Sequence, residues 1–313
     1  MPELIWLDRT ALLYDRTSSS CVALAEALET VSHDRLTRLL QGDWSGHTRL
    51  EVACRTLLVW ERGFLIIDDT VMPKPFAPAI EGLAWVFSRQ ERRPVCGLSL
   101  VLLIWTDGTL RVPLGLRLWR KGGPSTYALA LAFLSDARPR LRCRPAYVLF
   151  EAWYPSTPLL KRMRDDGWSF GCRLKKNRRF NGRAVRAYRR HPYGAESGWL
   201  TGGLKGLVVR YGAKYYAPKR LTLPAAEVRR RYGSRAQIAE VIRVCQDQLG
   251  LAGCQARSER AQRHHMTCCL VALCVLERER HDRHLTLYKL KRQLSFNSHG
   301  VSLPALERLK RAA

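Results

Sequence analysis

FLIIDDT, residues 64 to 70, decides how this chain is read. Four large apolar residues followed by two carboxylates and a β-branched threonine describe a buried strand that delivers acids at its end. Rigid elements that present carboxylates are where a hard divalent cation finds oxygen ligands. A second apolar run, AYVLFEAWY (146–154), leads to Glu151 in the same way, and the helical stretch RAQIAEVIRV (235–244) holds Glu240. Two strand ends and a helix can bring three such acids together as a two-metal site for in-line phosphoryl transfer. Acids at strand ends are also ordinary solvated turn residues, so the neighbouring sequence has to separate the two readings.

Upstream, CVALAEALETV, DRLTRLL and RLEVACRTLLVWE have helical periodicity, with Ser32 placed to cap the second. Downstream, LAWVFS, CGLSLVLLIWTDGTL and RVPLGLRLW read as strands, with a turn at Asp107 and Gly108. STYALALAFLSDAR is a helix, AYVLFEAWY a strand, PSTPLLKRMRDDG a helix and FGCRLKKN a strand. This order predicts an α/β layer built on a mixed sheet. Residues 178–224 interrupt it with Arg, Gly and Tyr and short segments such as GLKGLVVRY, which predict a β-rich basic insertion. From Ala225 onward the chain reads as helical again.

Composition narrows the function. The chain has 313 residues, 46% of them hydrophobic, enough for a substantial core. Lys and Arg number 53 against 27 Asp and Glu, a formal charge of +26. Such an excess points to a polyanionic partner, since each cation placed on a phosphate releases condensed counterions. The preponderance of Arg over Lys suits bidentate phosphate contacts, although a GC-rich genome would produce the same bias. Ten scattered cysteines with no CxxC pair suggest neither a disulfide framework nor a zinc ribbon, and fit reduced thiols in cytoplasm. MPELIWLDRT lacks the pattern of a secretory signal, and the longest apolar runs are about half the roughly 20 residues a spanning helix needs.

The longer blocks around the acids carry a resemblance. IIDDTVMPKPFAPAIEG, LVLLIWTDGTLRVPLGLRLW, YVLFEAWYPSTPLLKRMRDDGWSFGCRLKKNR and CQARSERAQRHH, in this order, resemble bacterial insertion-sequence transposases of the DDE type. The resemblance runs from about Ser32 to about Arg292. It implies an RNase H-like catalytic domain, a mixed sheet flanked by helices, with a β-rich insertion and helical N- and C-terminal segments. The implied division is a helical DNA-binding module at 1–58, the catalytic-type domain at 59–256 with its insertion at about 178–224, and a C-terminal helical segment at 257–313. It further implies binding to the terminal inverted repeats of double-stranded DNA, cleavage and strand transfer with two Mg²⁺ ions, no membrane association and a bacterial, nucleoid-associated location; a homodimer is left open.

Carried over residue by residue, the resemblance places Asp68 on the first catalytic and metal-binding position. The second falls on Glu151, where the family has aspartate, and one extra methylene displaces the carboxylate in chemistry that tolerates little misplacement. The family's third element is Tyr, two residues, Arg, three residues, Glu, six residues, Lys. Tyr232 and Arg235 match it, but Ala239 and Gln246 stand at the Glu and Lys positions. Glu240 comes one residue late, about 100° further around the helix. An apolar stripe of Ile238, Ile242, Cys245 and Leu249 opposes a compensating rotation. Glu240 is also spaced to pair with Arg243. The resemblance thus implies either a DNA-binding protein with a degenerate catalytic set, or a working Mg²⁺-dependent enzyme that uses Asp68, Glu151 and Glu240.

For DNA contact the basic runs RLKKNRRFNGR (173–183) and VRRRYGSR (228–235) offer Lys175, Lys176, Arg178, Arg179, Arg230, Tyr232 and Arg235, with Arg243 further along. A solvated charged face is the competing explanation for such runs. His264 with Cys268 and His265 with Cys269 have helical i, i+4 spacing that could hold zinc, but the flanking Leu270, Val271, Leu273 and Cys274 read as helix core. Trp153 and Tyr154 could stack on a base or simply pack at a hinge.

Overall fold

The structure, a computed structural model, describes residues 20–28, 31–59, 62–77, 79–140, 147–187 and 193–296. Its centre is the quoted strand, β1 (Phe64–Pro73). Leu65, Ile66 and Ile67 are buried, so β1 has no solvated face at that end, as a strand lying inside a layered fold requires. It does not end at the acids. β1 runs on to Pro73 because β3 (Arg93–Thr106) pairs with it antiparallel over its whole length, Asp68 opposite Leu102 and Asp69 opposite Val101. The strand-end expectation is corrected by this long hairpin partner. Asp68 sits mid-strand, at the point where the parallel neighbour on the other side stops.

That neighbour is β5 (Tyr147–Phe150), which ends with Ile67 opposite Phe150. Between β1 and β5 the chain forms β2 (Ala84–Ser88), β3, β4 (Arg111–Trp119) and, after three helices at the N-terminal side, α4 (Thr126–Ala137). The three are α1 (Cys21–Leu28), α2 (His33–Gln41) and α3 (Gly46–Cys54). At the β3–β4 turn Asp107 Oδ1 accepts from the backbone N–H groups of Thr109 and Leu110, and Gly108 takes φ 99°, where a side chain would be strained. Ser45 and Ser125 accept from backbone N–H groups at the starts of α3 and α4. Ser32 occupies the corresponding place before α2 without making that bond.

After β5 come α5 (Thr157–Asp165) and β6 (Phe170–Leu174), then β7 (Arg179–Phe180), β8 (Arg183–Ala184), β9 (Ala195–Leu200), β10 (Leu204–Tyr211) and β11 (Lys214–Pro218). The sheet order is β2-β3-β1-β5-β6-β11-β10-β9-β7-β8, with β4 also on β3. The basic segment at 178–224 is therefore β-rich as expected, and it extends the main sheet: β11 pairs antiparallel with β6.

The C-terminal part contains α6 (Ala225–Gly233), α7 (Ala236–Gln248), α8 (Glu259–Asp282) and α9 (Leu287–Phe296). The helical stretch from Ala225 is thus two helices that meet at Ser234 and Arg235. Helix α8 is buried on all sides between His264 and Cys274, as a central helix must be. Leu39, Leu50 and Leu57 of the N-terminal helical part, Ile66 and Ile104 of the sheet, and Leu270 and Leu273 of α8 belong to one continuous core, which therefore crosses residues 58 and 256 without a break in packing. At one edge of that core the buried Glu277 carboxylate pairs with Arg111 of β4 and with Arg280 one turn along α8. Among the described residues no helix is long and apolar enough to cross a membrane.

Candidate functional site: a carboxylate cleft bridged by an arginine

The register explains how two acids 83 residues apart in sequence come together: the β1–β5 pairing ends at Ile67 and Phe150, and the next residues are Asp68 and Glu151. By the same logic Phe150 lies opposite Cys172 in β6, so the next residue, Arg173, falls beside Glu151, at 3.7 Å. Into the gap reaches Arg235 from the α6–α7 junction. Its Nη2 lies 2.5 Å from Asp68 Oδ2 and its Nη1 2.8 Å from Glu151 Oε2. The Tyr232 hydroxyl donates to the same Glu151 oxygen at 3.3 Å. Asp68 is 6% exposed, and burial pushes its carboxyl up to about 6 even though Arg235 pulls it down and Asp69 adds to the rise. Its Oδ1 has no hydrogen-bond partner among the described residues. Tyr154, beneath the acids, is raised well above the usual phenol range, first by burial and then by the charges of Asp69 and Asp68.

The open side of this cluster is a cleft of about 480 Å³ whose walls include Asp68, Asp69, Thr70, Phe87, Arg89, Arg235, Ala239, Ile242 and Gln246. Helix α7 presents Ala239, Ile242, Arg243, Gln246 and Asp247 to the cleft, and buries Ile238, Val241, Val244 and Cys245 on its other side. The buried stripe is thus turned slightly from the expected one, with Ile242 half-buried at the cleft and Val241 and Val244 taking its place. The Gln246 amide donates to Thr70 Oγ1 at 3.3 Å, tying this face to β1. Glu240 is outside the cleft lining, and its carboxylate lies 3.3 Å from Arg243.

The sequence candidates separate accordingly. Asp68, Glu151, Tyr232 and Arg235 converge. Tyr232 and Arg235, named for DNA contact, are turned toward carboxylates of their own chain. Lys175, Lys176 and Arg179 are exposed beside β6 and β7, and Lys175 lies over the Trp153 ring at 4.8 Å. Arg178 is half-buried and donates to Thr157 Oγ1. Arg230 is engaged twice by Glu227, whose carboxyl is held at about 2 by hydrogen bonds from Arg230 and Arg231. Tyr154 is buried against Phe150 and Tyr127, whereas Trp153 remains exposed. His264 stacks on Trp44 and bonds to main-chain oxygens of Leu40 and Trp44, and His265 lies 2.9 Å from the Gly250 oxygen. Arg173, Arg89 and Phe87 were not singled out from sequence. Strand register sets Arg173, the first residue of the basic run at 173–183, beside Glu151, while Phe87 of β2 and Arg89 just after that strand reach the cleft wall.

The donor set can be tested against the metal pair that the resemblance implies. Asp68 Oδ1 and Asp69 Oδ1 have no hydrogen-bond partner among the described residues, and Asp247 of α7 also lines the cleft, but Asp68 Oδ2 and Glu151 are engaged by guanidinium groups, and the helix offers a methyl group at Ala239. Among the described residues no group of three or more His, Cys, Asp or Glu is placed to hold a metal ion. The residues present do not fit a two-metal site.

A sheet of this order, with an acid on its central strand, a second just past the parallel neighbour and a helix closing over both, defines an RNase H-like protein. The family model for the transposase DDE domain matches residues 60–275, and the chain belongs to that family. Comparison with curated proteins found no match. Among solved structures the chain is similar to a piggyBac transposase synaptic complex with hairpin DNA, at 13% identity and a TM-score of 0.54, covering 99% of this chain and 72% of that one. It also matches the Mos1 mariner paired-end complex with Mn, at 16% identity and a TM-score of 0.22 over 48% of this chain, and spans about half (53%) of that chain.

Proposed function

We propose that this chain is a DNA-binding member of the transposase family whose cutting and strand-transfer chemistry is disabled. The observation that carries this reading is the face of α7: Ala239 lines the cleft with Asp68, while Glu240 lies outside it beside Arg243. Two-metal phosphoryl transfer needs carboxylates that clamp both ions, and a methyl group supplies none of that charge. Duplex DNA as partner is supported by the +26 charge, by the exposed Lys175, Lys176 and Arg179 next to the strand that flanks Glu151, and by the hairpin DNA in the piggyBac complex. In this reading the terminal repeats of an element are the target, and the segment 1–58 contributes contacts outside the cleft.

Restoration of the carboxylates tests it. Glu151→Asp with Ala239→Glu should give Mg²⁺-dependent nicking of a supercoiled plasmid that the parent lacks, while both proteins bind duplex DNA. Parent protein that nicks DNA in Mg²⁺ and loses this activity in Glu240→Gln would overturn the reading in favour of an active enzyme using Asp68, Glu151 and Glu240.

A further inference from the structure

The cleft holds a cation of its own. We infer that the guanidinium of Arg235 is the resident counter-cation of the Asp68–Glu151 pair, that it keeps divalent ions out of the cleft, and that its removal creates a divalent-cation site there.

The Arg235, Asp68 and Glu151 side chains are 18%, 9% and 16% exposed, so these charges are screened only weakly by solvent. Two carboxylates placed this close and this deep need positive charge between them, which a metal ion supplies in sites built for one. Here the two ends of one planar guanidinium supply it, one to each acid. Arginine suits the task better than lysine, because its charge cannot be lost by deprotonation and its fork reaches two acceptors at once. Glu151 is further approached by the Tyr232 hydroxyl at 3.3 Å and by Arg173 at 3.7 Å, both longer than its 2.8 Å contact with Arg235. A divalent ion entering at Asp68 would meet two carboxylate oxygens without hydrogen-bond partners among the described residues, Asp68 Oδ1 and Asp69 Oδ1, and a fixed positive charge held on Asp68 Oδ2. With Arg235 gone, the same residues become two partly buried carboxylates without their bridging cation, next to a cleft open to solvent. That is the oxygen donor set a hard cation takes up.

The inference rests on the reading that the cleft's carboxylate set is incomplete, but it is tested by metal binding alone, without DNA or cleavage. The full chain is titrated with Mn²⁺ and the free ion is followed by its electron paramagnetic resonance signal. The parent should bind no Mn²⁺ in the cleft up to millimolar concentration, and its melting temperature should be the same in Mn²⁺ and in EDTA. Arg235→Ala should bind one Mn²⁺ at least tenfold more tightly than the parent and melt at higher temperature with the ion than without it. Adding Asp68→Asn should abolish both gains. Arg235→Met, which keeps a long apolar stem against α7, should behave as Arg235→Ala does and serves if the alanine variant fails to fold. Parent protein that binds Mn²⁺ in a manner lost on Asp68→Asn would overturn the inference, as would a folded Arg235 variant that binds no more Mn²⁺ than the parent. Nicking by the carboxylate-restored variant bears on the proposed function and leaves these outcomes unaffected.

Discussion

Gln246 and Thr70 meet across the cleft, the amide Nε2 donating to Oγ1 at 3.3 Å. This bond joins α7 to the central strand one turn beyond Ile242, and with Val241 and Val244 buried behind it the rotation of the helix is fixed. Turning Glu240 toward Asp68 would break the bond and draw buried valines into water.

Glu240 should therefore behave as a surface residue. Its only described ionic partner is Arg243, itself 60% exposed, and an exposed i, i+3 pair contributes a few tenths of a kcal/mol. Glu240→Gln is expected to shift the melting temperature by about 1 °C or less and to leave DNA affinity within twofold. A loss of several degrees in calorimetry would mean that the carboxylate holds something more than Arg243.

The basic turn beside β6 should make the opposite kind of difference. Lys175, Lys176 and Arg179 are exposed, and each cation taken away from a DNA phosphate lowers the salt slope of binding by about one. The triple alanine variant is expected to bind duplex DNA more weakly at low salt, with its log–log salt slope reduced by about 2–3, while its circular dichroism stays that of the parent. An unchanged slope in fluorescence anisotropy titrations would move the DNA interface elsewhere.

Glu277 should be the most costly carboxylate to remove. It is fully buried, and it holds Arg111 of β4 and Arg280 of α8, both 13% exposed, with Oε2 also accepting from the Arg111 backbone N–H. Replacement by glutamine leaves two arginines underpaired in a region that water hardly reaches, at a cost of about 3–5 kcal/mol. Urea denaturation should show a correspondingly lower midpoint at unchanged slope. A destabilisation under about 1 kcal/mol would show that both arginines find other acceptors.

The core gives a fourth expectation. Trp105 is completely buried in β3, and its indole N–H donates to the Arg62 carbonyl. Trp105→Phe keeps much of the volume but orphans that carbonyl, and should cost about 1–3 kcal/mol; Trp105→Ala should cost about 3–5 kcal/mol. Equal losses in the two variants, measured by denaturant unfolding, would assign the whole effect to the hydrogen bond.

Much of the architecture was legible because it depends on local patterns. Apolar runs bounded by turn signals marked β1, β2, β3 and β4, whereas the serine read as a cap, Ser32, makes no capping bond, and Ser45, Ser125 and Ser156 cap α3, α4 and α5 instead. AYVLFEAWY was read too long: β5 stops at Phe150, and Tyr154 turns inward onto Phe150 and Tyr127. No local pattern distinguishes an aromatic that continues a strand from one that packs beneath it. The stripe on α7 was likewise misplaced by part of a turn, because Val and Ile are interchangeable to a hydrophobic period and only the neighbouring surface tells them apart.

What the sequence determined by itself was the order of elements, the mixed α/β character, the positions of Asp68, Glu151, Tyr232 and Arg235 in a family pattern, and the presence of alanine and glutamine where that pattern has glutamate and lysine. The order of elements and the α/β character follow from side-chain periodicity, and the family positions from the resemblance that the sequence motifs carry; both are properties of the chain alone. The tertiary structure decided that β1 continues through its acids, that Arg173 stands next to Glu151, and that Arg235 faces two carboxylates of its own chain. Those contacts depend on strand register and on the junction of two helices more than 160 residues downstream of Asp68. A charge finds its partner by where the fold's packing leaves it, and packing is settled by the apolar core, to which the charged residues themselves contribute little.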